Sequence, residues 1–189
     1  MNTKTALITG ASSGIGAVYA DRLARRGYDL VLVARNKERL EAVASSIRSE
    51  TGRTVQLIQA DLSNPAQSDQ VEAVLAKGGI EVLVNNAGFG VAPAGAEESS
   101  LQQAQSIFDT NFFGIVRMTR AVVPHMRRQG SGRIINIGSI IGLVPMPYVA
   151  LYAASKHAVE GYSESLDHEL RTRGIRVSVI EPAFTKTQF

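Results

Sequence analysis

The chain has 189 residues, a formal net charge of +3 and no cysteine. This length suits one domain with a single substantial core, and the lack of cysteine excludes a disulfide framework, a thiolate zinc site and a thiol nucleophile. The basic residues are scattered, at Arg25-Arg26, Arg35 to Arg39, Arg127-Arg128 and Arg171 to Arg173. No basic stripe interleaved with aromatics forms, so nucleic acid is excluded as a partner.

The apolar run at the N-terminus is too short for a signal peptide. No run of about 18 apolar residues predicts a membrane span. The expected location is the cytoplasm, which the absence of cysteine fits.

Short apolar runs alternate with longer amphipathic ones, the pattern of βαβ units and a parallel sheet. Strands are predicted near 4–9, 29–33, 54–59, 81–85, 132–138 and 175–181, and helices over 14–26, 37–50, 65–77, 101–129 and 148–173. Val31 to Val33, Val82 to Val84 and Ile134 to Ile137 are nearly all apolar, as strands buried on both faces should be. The predicted class is therefore α/β, a doubly wound parallel sheet with helices on both faces, formed by one domain over 1–189. In such sheets ligands sit beyond the carboxyl ends of the strands.

The first strand runs into Thr9-Gly10-Ala11-Ser12-Ser13-Gly14-Ile15-Gly16. Glycines between a strand and a helix allow a tight turn and bring backbone N–H groups close to a pyrophosphate. The spacing G-x-x-x-G-x-G differs from the general G-x-G-x-x-G fingerprint. After the second strand, Ala34 stands where an acidic residue would bind the ribose 2′-hydroxyl of NAD, and Arg35 beside it suits a 2′-phosphate. NADP(H) is therefore expected over NAD(H), with Lys37 and Arg39 adding positive potential.

Asp61-Leu62 follows the third strand. Asp61 could accept a hydrogen bond from an adenine amino group, or serve as a turn or N-cap residue before Pro65. The fourth strand ends in Asn85-Asn86-Ala87-Gly88, where small residues let backbone approach a cofactor and the asparagines can tie adjacent strand ends; a simple turn is the alternative. Asn111 lies in an otherwise apolar helix and needs a partner, as a structural hydrogen bonder or as the holder of a water near Lys156. Ser139 ends the fifth strand, where its hydroxyl could donate to a substrate carbonyl.

Tyr152 and Lys156 are four apart on the last predicted helix and share one face. A free phenol is a poor base near neutrality. A fixed ammonium nearby is expected to lower its pKa, which suits the pair to moving a proton on and off an alcohol. Taken alone, the pair also fits a solvated helix face. His125, His157 and His168 are expected on helix surfaces, and no metal-ligand set is apparent.

In this order and spacing, the glycine turn, Asp61, Asn85 to Gly88, Asn111, Ser139, Tyr152 with Lys156, and Glu181-Pro182 together resemble the short-chain dehydrogenase/reductase family. The likeness runs from Thr5 to about Thr187. It implies a Rossmann fold binding a nicotinamide dinucleotide. Gly10, Ser12, Ser13, Gly14, Ile15 and Gly16 would hold the pyrophosphate end, and Arg35, Asp61 and Leu62 the adenosine end. Asn86, Ala87, Gly88, Tyr152, Lys156, Pro182 and Thr187 would line the rest. Tyr152 would donate or accept the proton, Lys156 would bind ribose and depress the tyrosine pKa, Ser139 would hold the substrate oxygen, and Asn111 would complete a proton relay through water.

Two features depart from the family pattern. Ala183 replaces the usual glycine after Pro182, and the chain stops at Phe189, where a substrate-covering segment, a last helix and a seventh strand are expected.

The apolar stretch Ile140 to Tyr148, with Phe89 and Val91, points to an apolar alcohol or carbonyl substrate, ordinary core packing being the alternative. Arg127, Arg128, Arg171 and Arg173 could dock an acidic acyl carrier or simply complement helix ends. The resemblance also implies a homodimer or homotetramer through the long helices. The activity expected is an NADP(H)-dependent oxidoreductase acting on CH–OH groups. The alternative is a non-catalytic dinucleotide sensor or scaffold on the same fold.

Overall fold

The computed structural model describes residues 4–183 and Thr185. Its sheet has six parallel strands: β1 (Thr5–Thr9), β2 (Asp29–Ala34), β3 (Val55–Gln59), β4 (Ile80–Asn85), β5 (Gly132–Ile137) and β6 (Ile175–Ile180). Their spatial order is β3-β2-β1-β4-β5-β6. Leu7 on β1 is in register with Val31 on β2 and with Leu83 on β4. The chain winds outward from β1 to one edge, then returns to β4 and winds to the other. The reversal between β1 and β4 opens a crevice at the carboxyl ends of those strands.

Strand side chains alternate between two cores. Ala6, Ile8, Leu30, Leu32, Val82 and Val84 pack under α1 (Gly14–Arg25) and α2 (Lys37–Thr51). Leu7, Val31, Leu83 and Ile134 face the other way, against Val71 and Leu75 of α3 (Pro65–Lys77), with Met118, Val122 and Met126 also in that core. Burial on both sides is why the strand segments are almost wholly apolar.

Helix starts follow local chemistry. The side chain of Asn36 accepts from Arg39 N at the head of α2, and Asn64 accepts from Gln67 N at the head of α3, with Pro65 in the first turn. Asn64 therefore takes the capping role that had been open to Asp61.

Two predicted helices differ from those observed. The span 101–129 divides into α4 (Leu101–Phe108), a π-helical turn (Asp109–Phe113) and α5 (Gly114–Gln129). The wide turn accommodates an extra residue, a device frequent at functional sites, and it buries Asn111. The span 148–173 begins later, as α6 (Ala150–Leu170), followed by a 3₁₀ turn (Arg171–Arg173). Tyr148 has φ 65, which a helix cannot contain. Among the described residues, no helix is long and apolar enough to cross a membrane.

Candidate active site

The glycine turn is braced from behind by the end of β4. Asn86 Nδ2 donates to Thr9 O and to Gly10 O, both at 3.0 Å. Thr9 Oγ1 accepts from Asn86 N at 2.9 Å and Ala87 N at 3.0 Å. Gly10 has φ 64, and a Cβ there would lie 2.7 Å from Asn86 Nδ2. A Cβ on Gly16 would lie 2.4 Å from Gly10 O. Both glycines are therefore required by close backbone approach.

A cleft of about 630 Å³ opens along the carboxyl ends of the strands. Gly10, Ser12, Ser13, Gly14 and Ile15 line it at the head of α1; Gly16 does not, and its place is in the packing behind the turn. Arg35, Asn36 and Arg39 line one end, with Asp61 and Leu62 beside them. Asp61 Oδ1 accepts from Ser63 N and Ser63 Oγ, so this residue shapes the turn as well as the wall. Asn86, Ala87 and Gly88 form the middle. The volume, the glycine cradle and the arginine-bearing end fit a dinucleotide.

At the other end Ser139, Tyr152, Lys156 and Pro182 share the wall. Ser139 follows β5, which is tied to its neighbours by buried amides. Asn85 Nδ2 donates to Asn136 Oδ1 at 2.9 Å, and Asn136 Nδ2 donates to Ser163 Oγ on α6 at 2.8 Å. Lys156 is 5% exposed, and its Nζ donates to Ile137 O at 2.8 Å. The same Nζ lies 5.7 Å from the centroid of the Tyr152 ring. Thr187 lies outside the described residues.

The electrostatics differ from the expectation. Burial pushes the Tyr152 phenol above its ordinary pKa, and a hydrogen bond with Ser139 opposes that rise only in part. Burial also pulls Lys156 down to about 8, with Glu160 acting the other way. The expected depression of the tyrosine pKa is thus reversed: desolvation of the phenolate outweighs the hydrogen bond with Ser139.

Asn111 is fully buried and does not line the cleft, although Thr110 does. Its Oδ1 accepts from Phe89 N at 3.0 Å, and its Nδ2 donates to Phe89 O at 2.9 Å and to Ser155 Oγ at 3.2 Å. The side chain thereby clamps the segment after β4 to α6. Ser155 Oγ in turn donates to Tyr152 O at 2.8 Å, joining the π turn to the turn of α6 that carries the tyrosine. Phe89 lines the cleft as expected, and so do Ile140 and Ile141; Val91 and the rest of the apolar stretch, from Leu143 to Tyr148, do not.

The short chain dehydrogenase family profile matches residues 4–189. The chain belongs to that family. Among curated relatives, human retinol dehydrogenase 8 is 39% identical over 190 residues, covering 98% of this chain and 60% of the relative. The chain therefore spans about 60% of the length of such relatives.

Solved structures of the family superpose closely. The bulky-bulky ketone specific alcohol dehydrogenase from Comamonas testosteroni has a TM-score of 0.94 and 41% identity, over 98% of this chain and 75% of that one. A short-chain dehydrogenase from Sphingobium yanoikuyae in complex with NADPH gives 0.94 and 43%, over 98% and 72%. A 3-ketoacyl-(acyl-carrier-protein) reductase from Brucella melitensis complexed with NADH gives 0.89 and 37%, over 98% and 77%.

Within this short-chain dehydrogenase chain, several structural partners escaped the sequence reading. Thr9 precedes the glycines, yet nothing local marks its hydroxyl as the brace of the Asn86 backbone. Asn36 is visible as a helix cap but not as cleft lining. Ser155 stands next to Lys156 in sequence, and its link to Asn111 spans 44 residues.

Proposed function

We propose that this chain forms the dinucleotide-binding and catalytic domain of an NADP(H)-dependent oxidoreductase that interconverts an alcohol and a ketone or aldehyde. The observation that carries the reading is the shared wall: Ser139, Tyr152 and Lys156 line the same cleft as the glycine turn and Arg35. The dinucleotide, when bound, supplies or accepts the hydride.

The chain's own residues do the rest. Ser139 donates to the substrate oxygen and holds it beside Tyr152. Tyr152 gives its proton to the developing alkoxide in reduction and takes it back in oxidation. Lys156, charged below about pH 8, binds ribose hydroxyls and, with its Nζ 5.7 Å from the Tyr152 ring centroid, favours negative charge on the phenol as the proton leaves. Asn111 acts through Phe89 and Ser155, holding the first turn of α6 in place, and completes a proton relay through water to Lys156.

Arg35 and Arg39 carry the preference for a 2′-phosphate. Related structures hold NADPH in one case and NADH in another, so the preference rests on the absence of an acidic residue at Ala34 and the cations beside it. Ile140 and Ile141, which follow Ser139 in the cleft wall together with Phe89, suit an apolar substrate. Relatives named for retinol and for bulky ketones support that class. The half-exposed Phe113 and the outer faces of α5 and α6 suit a homodimer or homotetramer, which light scattering would reveal.

The test is oxidation of NADPH, followed by absorbance, against a panel of apolar ketones and aldehydes. Turnover that disappears in Tyr152→Phe supports the assignment. Turnover that survives the substitution unchanged overturns it.

A further inference from the structure

Among the described residues, one buried carboxyl group lies outside the cleft wall. Glu160 is 7% exposed and lies on α6 one turn beyond Lys156. Its Oε1 is buried and has no hydrogen-bond partner among the described residues. A buried polar atom without a partner is costly, and an apolar side chain would fill the same space at no such cost.

The carboxyl group is closely fitted. A Cβ on Gly138 would sit 2.4 Å from Glu160 Oε1, and a Cβ on Gly142 would sit 3.1 Å from it. These two glycines bracket Ser139. Gly138 also follows Ile137, whose carbonyl takes the hydrogen bond from Lys156 Nζ. Carboxyl and ammonium therefore flank one stretch of backbone, the stretch that delivers Ser139 to the cleft. Glu160 itself is absent from the cleft wall.

We propose that Glu160 is a positioning residue of the active site, whose carboxyl group, wedged behind Gly138 and Gly142, supports the positive charge on Lys156 from outside the cleft. The inference rests on the reading of Lys156 as the ammonium that serves Tyr152. The charged groups around Glu160 are Lys156, His157 and Glu164 on α6 and Glu181 just past β6; the 140–142 turn contributes none. Burial, Glu181 and Glu164 raise the Glu160 pKa, whereas Lys156 and His157 lower it. Ionised Glu160 in turn helps Lys156 keep its proton against desolvation. With a neutral group at 160, Lys156 loses its proton at lower pH.

The test reads Lys156 directly, by carbon NMR of the lysine ε positions in the whole chain, with the signal assigned through Lys156→Arg. In Glu160→Gln the Lys156 midpoint should fall by roughly half a pH unit or more, and Glu160→Asp should restore part of the loss. An unchanged midpoint in folded Glu160→Gln overturns the proposal. Should that variant not fold, the wild-type protein still decides. A Lys156 signal with a second inflection at the Glu160 midpoint supports the coupling, and a single inflection overturns it.

The alkaline limb of kcat/KM separates the two readings. If the limb moves with the NMR midpoint, both stand. If the midpoint moves while the limb stays, the coupling stands and the catalytic reading of Lys156 fails.

Discussion

The two ends of the cleft are built on different principles. At the glycine-turn end, shape comes from backbone: Gly10 in a left-handed conformation, Gly16 against Gly10 O, and Asn86 and Thr9 bracing the turn. At the end that carries Ser139, Tyr152 and Lys156, shape comes from side chains of α6 and of the turn after β5. There the decisive quantity is burial, which raises the Tyr152 pKa and pulls Lys156 down to about 8. A steric cradle works the same way at any pH. The protonation of a pair such as Tyr152 and Lys156 depends instead on which groups are dry.

This contrast can be broken most sharply at Tyr152. Tyr152→Phe should lower kcat on any ketone identified by about 10²–10⁴-fold. Dinucleotide affinity, followed by fluorescence titration, should stay within about threefold, since one peripheral contact contributes little. A large loss of binding would mean that the two ends are not separable.

Next in size is the effect of pH on stability. Lys156 has a folded pKa of about 8, below its ordinary 10.5, so between those values the unfolded chain binds a proton that the folded chain does not. Stability contributed by this group therefore rises with pH across that window and is lowest below pH 8. Urea unfolding of wild type against Lys156→Met, from pH 7 to 10.5, should show a difference that changes by about 3 kcal/mol. A flat difference would show that the ammonium is well solvated.

Gly10→Ala tests the cradle. The left-handed backbone together with the approach of Asn86 should destabilise the fold by roughly 1–3 kcal/mol, read by thermal unfolding. Calorimetry should show weaker dinucleotide binding with no change in the pH dependence of what remains. The smallest effect is expected at Arg35. Arg35→Ala should raise the KM for NADPH about tenfold, or about 1.4 kcal/mol, and leave that for NADH unchanged. Equal effects on both cofactors would assign Arg35 to general attraction.

Legibility followed the same division. Alternating apolar and amphipathic segments predicted all six strands close to their observed positions, because burial on both faces leaves a continuous apolar run. The glycine turn was legible because positive φ and close approach demand glycine locally. The single helix predicted over 101–129 was incomplete, since its periodicity continues through the π turn and only the fastening of Asn111 to Phe89 shows why it widens there. Gly16, expected to hold the cofactor, does not line the cleft and packs against Gly10 O.

By itself the sequence determined the order of strands and helices, the positions where only glycine fits, and the shared face of Tyr152 and Lys156, because each depends on residues within a turn or two of one another. The tertiary structure alone decided how dry those two side chains are, which partners Asn111 and Ser155 take, and that the Glu160 carboxyl group is buried against Gly138 and Gly142. Those are sums over neighbours brought from β5, β6, the π turn and α6, and no local pattern encodes how much water they exclude.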